Sequence, residues 1–294
     1  MRQHYFFILL ASISWTANAQ ENFSLGARSA GMGHATVCLD DVWATHHNQA
    51  ALGFIQDAGI SAYYENRWLT SQMSVQGAAA AFPTGKWGAV GIVYSRFGNS
   101  NYNQSKYGLT YGVRLAKGFS MGVGLNYHDT RLGEGYGNKG NFVAEIGLLG
   151  QIGKNVRIGF HAYNLGRAVL VQDTMNNDRL PMIFRLGTMY SFSEKVLISL
   201  EAEKDLDQPA IVRMGVEYRP VDLLFIRVGF NTQPFAPSIG LGFHFKGFRL
   251  DVASTIHPVL GVSPQGSLTY NFSLNKKKNE MTITATPPPG PSED

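Results

Sequence analysis

Strict alternation between large apolar residues and small or polar ones is the feature that most limits how this chain can fold. The segment Phe119-Ser-Met-Gly-Val-Gly-Leu-Asn-Tyr-His128 places an apolar residue at every odd position and Gly, Ser, Asn or His at every even one. Successive side chains of a β-strand point to opposite faces, so a period of two gives one apolar face and one polar face. The same alternation returns about a dozen times along the chain.

The character of the two faces indicates lipid on one side of the sheet and water on the other. The polar face carries charges and glycines in strand after strand, and few segments have the pattern of helices that could cover a sheet. Charged residues make up only 16% of the 294 residues, whereas about a quarter is usual in soluble domains. Transmembrane β-barrels combine an apolar outer face with a polar lumen. The sequence therefore predicts an all-β fold, a transmembrane antiparallel up-and-down β-barrel.

Alternation bounded by turn residues predicts about 14 strands. They are predicted at residues 58–66, 71–83, 87–97, 105–116, 118–131, 140–153, 155–165, 181–192, 194–205, 209–219, 223–232, 237–246, 248–257 and 264–274. Every second connection is a tight turn and most of those between are longer, as in bacterial outer-membrane barrels with short periplasmic turns and long extracellular loops. This pattern predicts the bacterial outer membrane as the location, and the even strand number predicts that both termini are periplasmic.

The ends of the chain predict further segments. Residues 1–19 have the pattern of a secretory signal peptide, with Arg2, an apolar run and the cleavage site Ala17-Asn-Ala19. Residues 20–57 do not alternate and are rich in small and apolar residues, which predicts an N-terminal plug segment in the lumen. The transmembrane barrel is predicted to cover residues 58–274. Residues 275–294 begin with lysines and end in a proline-rich run, which predicts a disordered periplasmic tail.

The same alternation assigns a set of charged residues to the lumen. If their apolar neighbours face lipid, the inward set is Arg185, Glu201, Glu203, Arg213, Glu217, Arg227, Arg249 and Asp251. Their signs are mixed, and an unpaired charge is unfavourable in a confined space, so we expect them to pair. Two interpretations stay open: the charges only satisfy one another and fix strand register, or they line a substrate path.

The plug segment carries a resemblance to a known family. It contains Ala27-Arg28-Ser-Ala-Gly31-Met-Gly33, then Asp40-Asp41, then Asn48-Gln-Ala50-Ala-Leu52. This order resembles the opening of the FadL/PorV-type outer-membrane barrels, in which an Asn-Pro-Ala-type signature lies in an N-terminal plug. Here Gln49 stands where that family usually has proline. The resemblance implies that Arg28, Gly31, Gly33, Asp40, Asp41, Asn48 and Ala50 are the plug's defining residues.

The resemblance extends over nearly the whole mature chain and favours the PorV branch, found in Bacteroidota. It continues through residues 180–181, 200–205, 215–220 and 257–261. It implies a fourteen-stranded barrel in the outer membrane. One branch of the family moves hydrophobic molecules and another serves type IX protein secretion, so the resemblance leaves the function open.

The longest predicted loop, residues 166–180, contains an apolar run beside a polar stretch. An apolar patch rimmed by polar residues often marks a contact surface, so Val169, Leu170 and Val171 form a candidate partner loop. The alternative is that this run extends the seventh strand above the membrane.

No catalytic motif and no metal-ligand spacing are present in the sequence, so we predict a non-enzymatic protein without cofactor or metal. The modest net charge of +4 is spread along the chain and gives no argument for nucleic acid. Outer-membrane lipid is the predicted surrounding. The first functional hypothesis is a partner subunit in protein secretion or envelope assembly, bound to other envelope or secretion proteins. The alternative is a FadL-like transporter that takes small hydrophobic ligands through the lumen and out of a lateral opening, which needs a kinked strand and an apolar pocket. Gly77-Ala-Ala-Ala-Ala81 is the candidate for a narrow wall, and small residues there could equally accommodate the plug. A nonspecific porin is disfavoured by the plug and the paired charges.

Overall fold

The computed structural model describes residues 24–133, 137–172 and 177–272. Its sixteen strands are β1 Ala58–Asn66, β2 Ser74–Pro83, β3 Ala89–Gly98, β4 Tyr102–Ala116, β5 Phe119–Leu132, β6 Gly137–Ile152, β7 Val156–Tyr163, β8 Val169–Gln172, β9 Asn177–Arg179, β10 Ile183–Ser191, β11 Val196–Asp205, β12 Ile211–Val221, β13 Leu224–Thr232, β14 Phe235–Phe245, β15 Phe248–His257 and β16 Gly261–Phe272. The predicted signal peptide and the predicted tail lie outside the described residues.

Fourteen of these strands close one antiparallel barrel, and β8 and β9 form a separate hairpin. Each strand of the barrel pairs with its neighbour in sequence, with β7 pairing directly with β10. Closure is made by β1 against β16, from Ala58 opposite Phe272 to Glu65 opposite Gln265. This confirms the predicted fold class. Every predicted strand overlaps one strand of the barrel, and the ends differ by a few residues.

Helices are few and short. Within residues 24–57 lie α1, Ala27–Gly31, α2, Ala44–His47, and a 3-10 helix, Gln49–Phe54. The Asp41 carboxylate accepts a hydrogen bond from the Trp43 backbone N–H at 3.0 Å, which stabilises the turn that leads into α2. In the described part of the chain, no helix is long and apolar enough to cross a membrane.

The outward face of the barrel is apolar over its whole circumference. Leu109, Val123, Leu186 and Val228 are 48 to 64% exposed, and they alternate with buried inward residues. Across β3 to β6 four aromatic residues form a row, because Tyr94, Tyr107, Tyr127 and Phe142 are successive register partners. Such a row is typical of the boundary between hydrocarbon and water in membrane barrels.

The two ends of the barrel differ. Six tight turns join strands at one end, and β1 begins and β16 ends there. The other end carries the connections of most varied length, from residues 233–234 between β13 and β14 to the connection between β7 and β10, which includes the β8–β9 hairpin. The tight-turn end is the one that the sequence predicts to be periplasmic.

Candidate functional site in the plugged lumen

Residues 24–57 fill the lumen, and glycines of the wall give them room. A Cβ atom at Gly112 or Gly122 would collide with the backbone of Gln49, and one at Gly147 would collide with the Asn48 side chain. On the opposite wall, Gly215 and Gly229 lie against the backbone of residues 32–33. The inward glycines of the barrel wall are therefore contact points for the plug, because two backbones can approach so closely only where a side chain is absent.

Gly31 and Gly33 lie where the plug touches the barrel wall. A Cβ atom at Gly31 would lie 3.1 Å from the Cα atom of Gly240. Gly33 adopts a left-handed φ of 62°, and its backbone N–H donates to the Ser238 hydroxyl at 3.1 Å. Both predicted plug glycines thus lie where a side chain would push the plug off the wall.

Arg28 joins the plug to the wall through charge. Its guanidinium donates to both carboxylate oxygens of Glu217 on β12, at 2.9 and 2.8 Å, and to Asp41 within the plug at 3.2 Å. Arg28 and Glu217 are both buried. A bidentate pair of this kind fixes orientation as well as distance.

Further charged residues of the barrel wall join the Arg28–Glu217 pair in a larger ionic network. Arg227 on β13 donates to Glu217 at 2.6 Å and to Asp251 on β15 at 2.7 Å. Arg249 lies 3.8 Å from Asp251 and 4.0 Å from Asp41. Six charged side chains, three of each sign, therefore form one network between plug and wall.

A second ionic group lies on β10, β11 and β12. Arg185 contacts Glu203 at 2.6 Å, and Arg213 contacts Glu203 at 2.7 Å and Glu201 at 3.1 Å. One oxygen of Glu201 also accepts hydrogen bonds from the backbone N–H groups of Thr36 and Val37, at 2.7 and 2.8 Å. All eight lumen charges assigned from the sequence point inward and have ionic partners, so the pairing expected from the sequence is present.

The remaining plug residues also contact the wall. Asp40 pairs with Arg157 at 2.8 Å. Asn48 donates to the carbonyl oxygens of Val37, at 2.7 Å, and of Leu148 on β6, at 3.3 Å. The Ala50 carbonyl accepts from the Ser120 hydroxyl at 2.8 Å.

The sequence analysis missed a third buried polar cluster. Glu145 on β6 accepts from Lys106 at 2.8 Å, from Asn126 at 2.7 Å and from Gln49 of the plug at 2.5 Å. His161 lies 3.2 Å from the same carboxylate. Lys106 and Glu145 occupy inward positions of their strands, so the alternation could have identified them. Gln49, at the position where the resembling family has proline, makes a side-chain contact that proline cannot make.

The wall formed by β1, β2 and β3 is apolar where it meets the plug. Trp43 packs edge-on against Tyr63, and Leu25 and Trp43 lie closest to Gly77. Around them lie the buried inward residues Val75, Ala79, Ala81, Ala89 and Val93. The small residues of β2 accommodate the plug, and β2 pairs with both neighbours without a register shift. The lumen thus has an apolar side at β1–β3 and an ionic side at β10–β15.

The plug histidines are uncharged at neutral pH. Burial lowers the pKa of His34 and of His47 to about 3, and burial beside Lys106 lowers the pKa of His46 well below its usual range. His47 Nε2 lies 2.9 Å from the Leu25 carbonyl oxygen. Within the described residues, no three side chains of His, Cys, Asp or Glu converge on a point that could hold a metal ion.

The candidate partner loop forms its own hairpin and does not extend β7. Val169 pairs with Arg179, and Val171 pairs with Asp178. Asn164 anchors the base of the loop: its side chain donates to the Leu180 carbonyl at 2.8 Å and accepts from the Ala168 N–H at 3.0 Å. Leu170 lies between the two paired positions of β8.

Together these features define a closed transmembrane barrel whose lumen is filled by its own N-terminal segment. No family model matches the sequence. No curated protein matches it either. Among solved structures, the fold is similar to the toluene transporter TbuX of Ralstonia pickettii, with a TM-score of 0.62 and 14% identity over 84% of this chain and 98% of that one. It is also similar to the toluene transporter TodX of P. putida, with a TM-score of 0.60 and 10% identity over 84% and 98% of the two chains. A FadL homologue of Pseudomonas aeruginosa has a TM-score of 0.59 and 12% identity over 84% and 98%. These likenesses show the fold.

Proposed function

We propose that this chain is an outer-membrane barrel, with both chain termini in the periplasm, that passes small hydrophobic molecules through the lumen. The observation that carries the proposal is the apolar contact between the plug and the β1–β3 wall. It gives an apolar molecule a path whose contacts involve few charged groups to desolvate. The fold it shares with solved toluene transporters supports the same conclusion.

The two sides of the lumen have different tasks in this proposal. On the ionic side, Arg28 and Glu201 hold the first half of the plug by charged contacts. On the apolar side, Trp43 and Leu25 rest on a wall of glycine and alanine, and dispersion contacts of this kind can reform around a small guest. The guest would move along β2, where Gly77, Ala79 and Ala81 leave the most room for adjustment.

The test is uptake of toluene by cells that carry the chain or its variants in the outer membrane. Ala79 is buried and points to the plug, whereas Ala78, its neighbour, points outward. Ala79→Leu should fill the apolar contact and reduce uptake severalfold, while Ala78→Leu should leave uptake unchanged. Heat-modifiability on gels would establish that both variants fold. Equal uptake by the two folded variants would contradict the proposed path.

A second candidate function is a partner subunit in protein secretion or envelope assembly, in the manner of the PorV branch. Two observations favour it: the lumen is filled and its charges are paired, and an anchored hairpin stands at the end opposite the tight turns. Affinity purification in mild detergent should then recover a stoichiometric protein partner. Val169→Asp with Val171→Asp should remove that partner and leave the barrel folded, whereas Val259→Asp, on the exposed loop before β16, should keep it. A clean monomer from the wild type would reject this candidate.

A further inference from the structure

The tight-turn end of the barrel carries a ring of lysines that have no ionic partner among the described residues. Five of its six turns contain one, and these are Lys86, Lys117, Lys154, Lys195 and Lys246. Within the described part of the chain, none of the five lies within ion-pair distance of a carboxylate, whereas the lumen charges assigned from the sequence are all paired. The contrast indicates a field that is directed outward, because the interior charges neutralise one another.

A cleft opens inside this ring, where the plug joins β1. It has a volume of about 470 Å³, in the range of small-ligand sites, and its lining includes Phe54, Ile55, Pro83, Lys86 and Arg114. Half-buried Ile55 and Pro83 are its accessible apolar residues, and Phe54 behind them is buried. Lys86 and Arg114 are exposed at its edge.

Arg114 is held in position without being neutralised. Its guanidinium lies 4.4 Å from the centroid of the Phe54 ring, and that of Arg157 lies 5.4 Å from the same centroid. Arg157 is committed to Asp40 at 2.8 Å, whereas no carboxylate of the described residues pairs with Arg114. A guanidinium stacked on an aromatic ring keeps its planar set of donors free for a carboxylate.

We propose that this cleft binds an acidic peptide segment of a partner protein. Acidic side chains would meet Arg114 and Lys86, and an apolar side chain between them would rest on Ile55 and Pro83. Arg114 follows the inward face of β4 and stacks on the plug, so its charge points to the aqueous mouth and away from lipid phosphates. The lysine ring would speed the approach of an acidic chain.

Binding can be measured on the purified full chain in phosphatidylcholine nanodiscs. The probe is the fluorescein-labelled peptide Glu-Glu-Phe-Glu-Glu-Leu-Glu, read by fluorescence anisotropy beside the same peptide with Gln at every Glu. We expect the acidic peptide to bind and the Gln peptide not to bind. Arg114→Gln with Lys86→Gln should weaken binding about fivefold or more, as expected for the loss of two exposed charge pairs.

A matched pair of charge changes separates the cleft from the ring. Lys154→Gln with Lys195→Gln removes the same charge from distant turns and should lower affinity less than the cleft variant does. Equal loss in the two double variants, or no binding by the wild type, would overturn the proposal. Displacement of the bound peptide by soluble glycerol phosphate at a concentration similar to that of the peptide would identify lipid phosphate as the ligand and would overturn it as well. None of these outcomes depends on toluene uptake, so the proposal stands or falls separately from transport.

Discussion

Single charged side chains hold the plug in place. Arg28 reaches Glu217 with two hydrogen bonds, and Glu217 is shared with Arg227 of the neighbouring strand. A buried charge that loses its partner is strongly destabilising, because it cannot regain the water it left. The contact between Arg28 and Glu217 therefore fixes the plug firmly at this point.

Removal of the Arg28 charge should weaken both plug and barrel. Arg28→Met leaves Asp41 with only a distant arginine, at 4.0 Å, and we expect a loss of about 3–5 kcal/mol in the free energy of unfolding. Urea unfolding in detergent micelles would measure it. Arg131→Met is the control, because Arg131 pairs with Asp129 while 59% exposed to solvent and should contribute little to the free energy of unfolding. Similar losses in both variants would contradict this role of Arg28.

The buried plug histidines make the packed plug sensitive to acid. The pKa of His34 and of His47 is about 3 in the folded chain and near 6.5 when exposed to water, so the unfolded or released plug binds protons more readily. The stability of the packed state is complete above about pH 6.5 and falls as the pH is lowered toward 3. Protease cleavage within residues 24–57 should therefore be faster at pH 4.5 than at pH 7.5. The variant His34→Gln with His47→Gln should show a smaller acceleration, and an unchanged one would refute the role of these histidines.

At the scale of the element, the small inward residues of the barrel strands are explained by contact with the plug. On β5, Gly122 and Gly124 face the 3-10 helix of the plug, and on β6 Gly147 faces Asn48. Glycine lowers strand stability when it has no packing role. Here it permits contact between the backbones of wall and plug, which explains its frequency on the polar face.

A side chain at Gly122 should displace the plug. Gly122→Val places methyl groups where the backbone of Gln49 and Ala50 lies, so we expect the 3-10 helix to leave the wall while the β5 ladder persists. Limited proteolysis would report the released segment, and heat-modifiability would report the intact barrel. Gly266→Val is the matched control, since a Cβ atom there meets nothing within 4 Å. Resistance of the Gly122→Val plug to protease would show that the wall adapts instead.

At the scale of the whole molecule, the lumen is divided into an ionic side and an apolar side with the plug between them. The ionic side fixes the plug to β10–β15, and the apolar side at β1–β3 offers weaker, adjustable contacts. With this division, the plug can stay attached on the ionic side while the apolar side admits a small apolar molecule, as the proposed transport requires.

Deletion of residues 24–57 tests the plug as a unit. The remaining barrel keeps all fourteen strand pairings, so we expect it to insert, with lower stability because Glu217 and Glu201 lose plug contacts. Its conductance in planar bilayers should rise well above that of the full chain. An unchanged conductance would mean that the wall closes on itself once the plug is gone.

Much of the fold follows from the sequence because alternation is a local property. The prediction placed all fourteen strands and gave the inward direction of the eight lumen charges. It placed the start of β4 at residue 105 instead of Tyr102, because polar residues above the aromatic row interrupt the alternation. The hairpin of β8 and β9 was not predicted, since each strand is too short to show a period.

The sequence by itself determined the period of two, the strand number and the sign of each lumen charge. Each of these properties depends only on residues that are close together in the sequence. Only the tertiary structure decided which charges meet. Arg28 and Glu217 are 189 positions apart, and Gln49 and Glu145 are 96 apart. No local sequence pattern encodes such pairs. They form only when the barrel closes around the plug, because each buried charge is stable there only beside a charge of opposite sign.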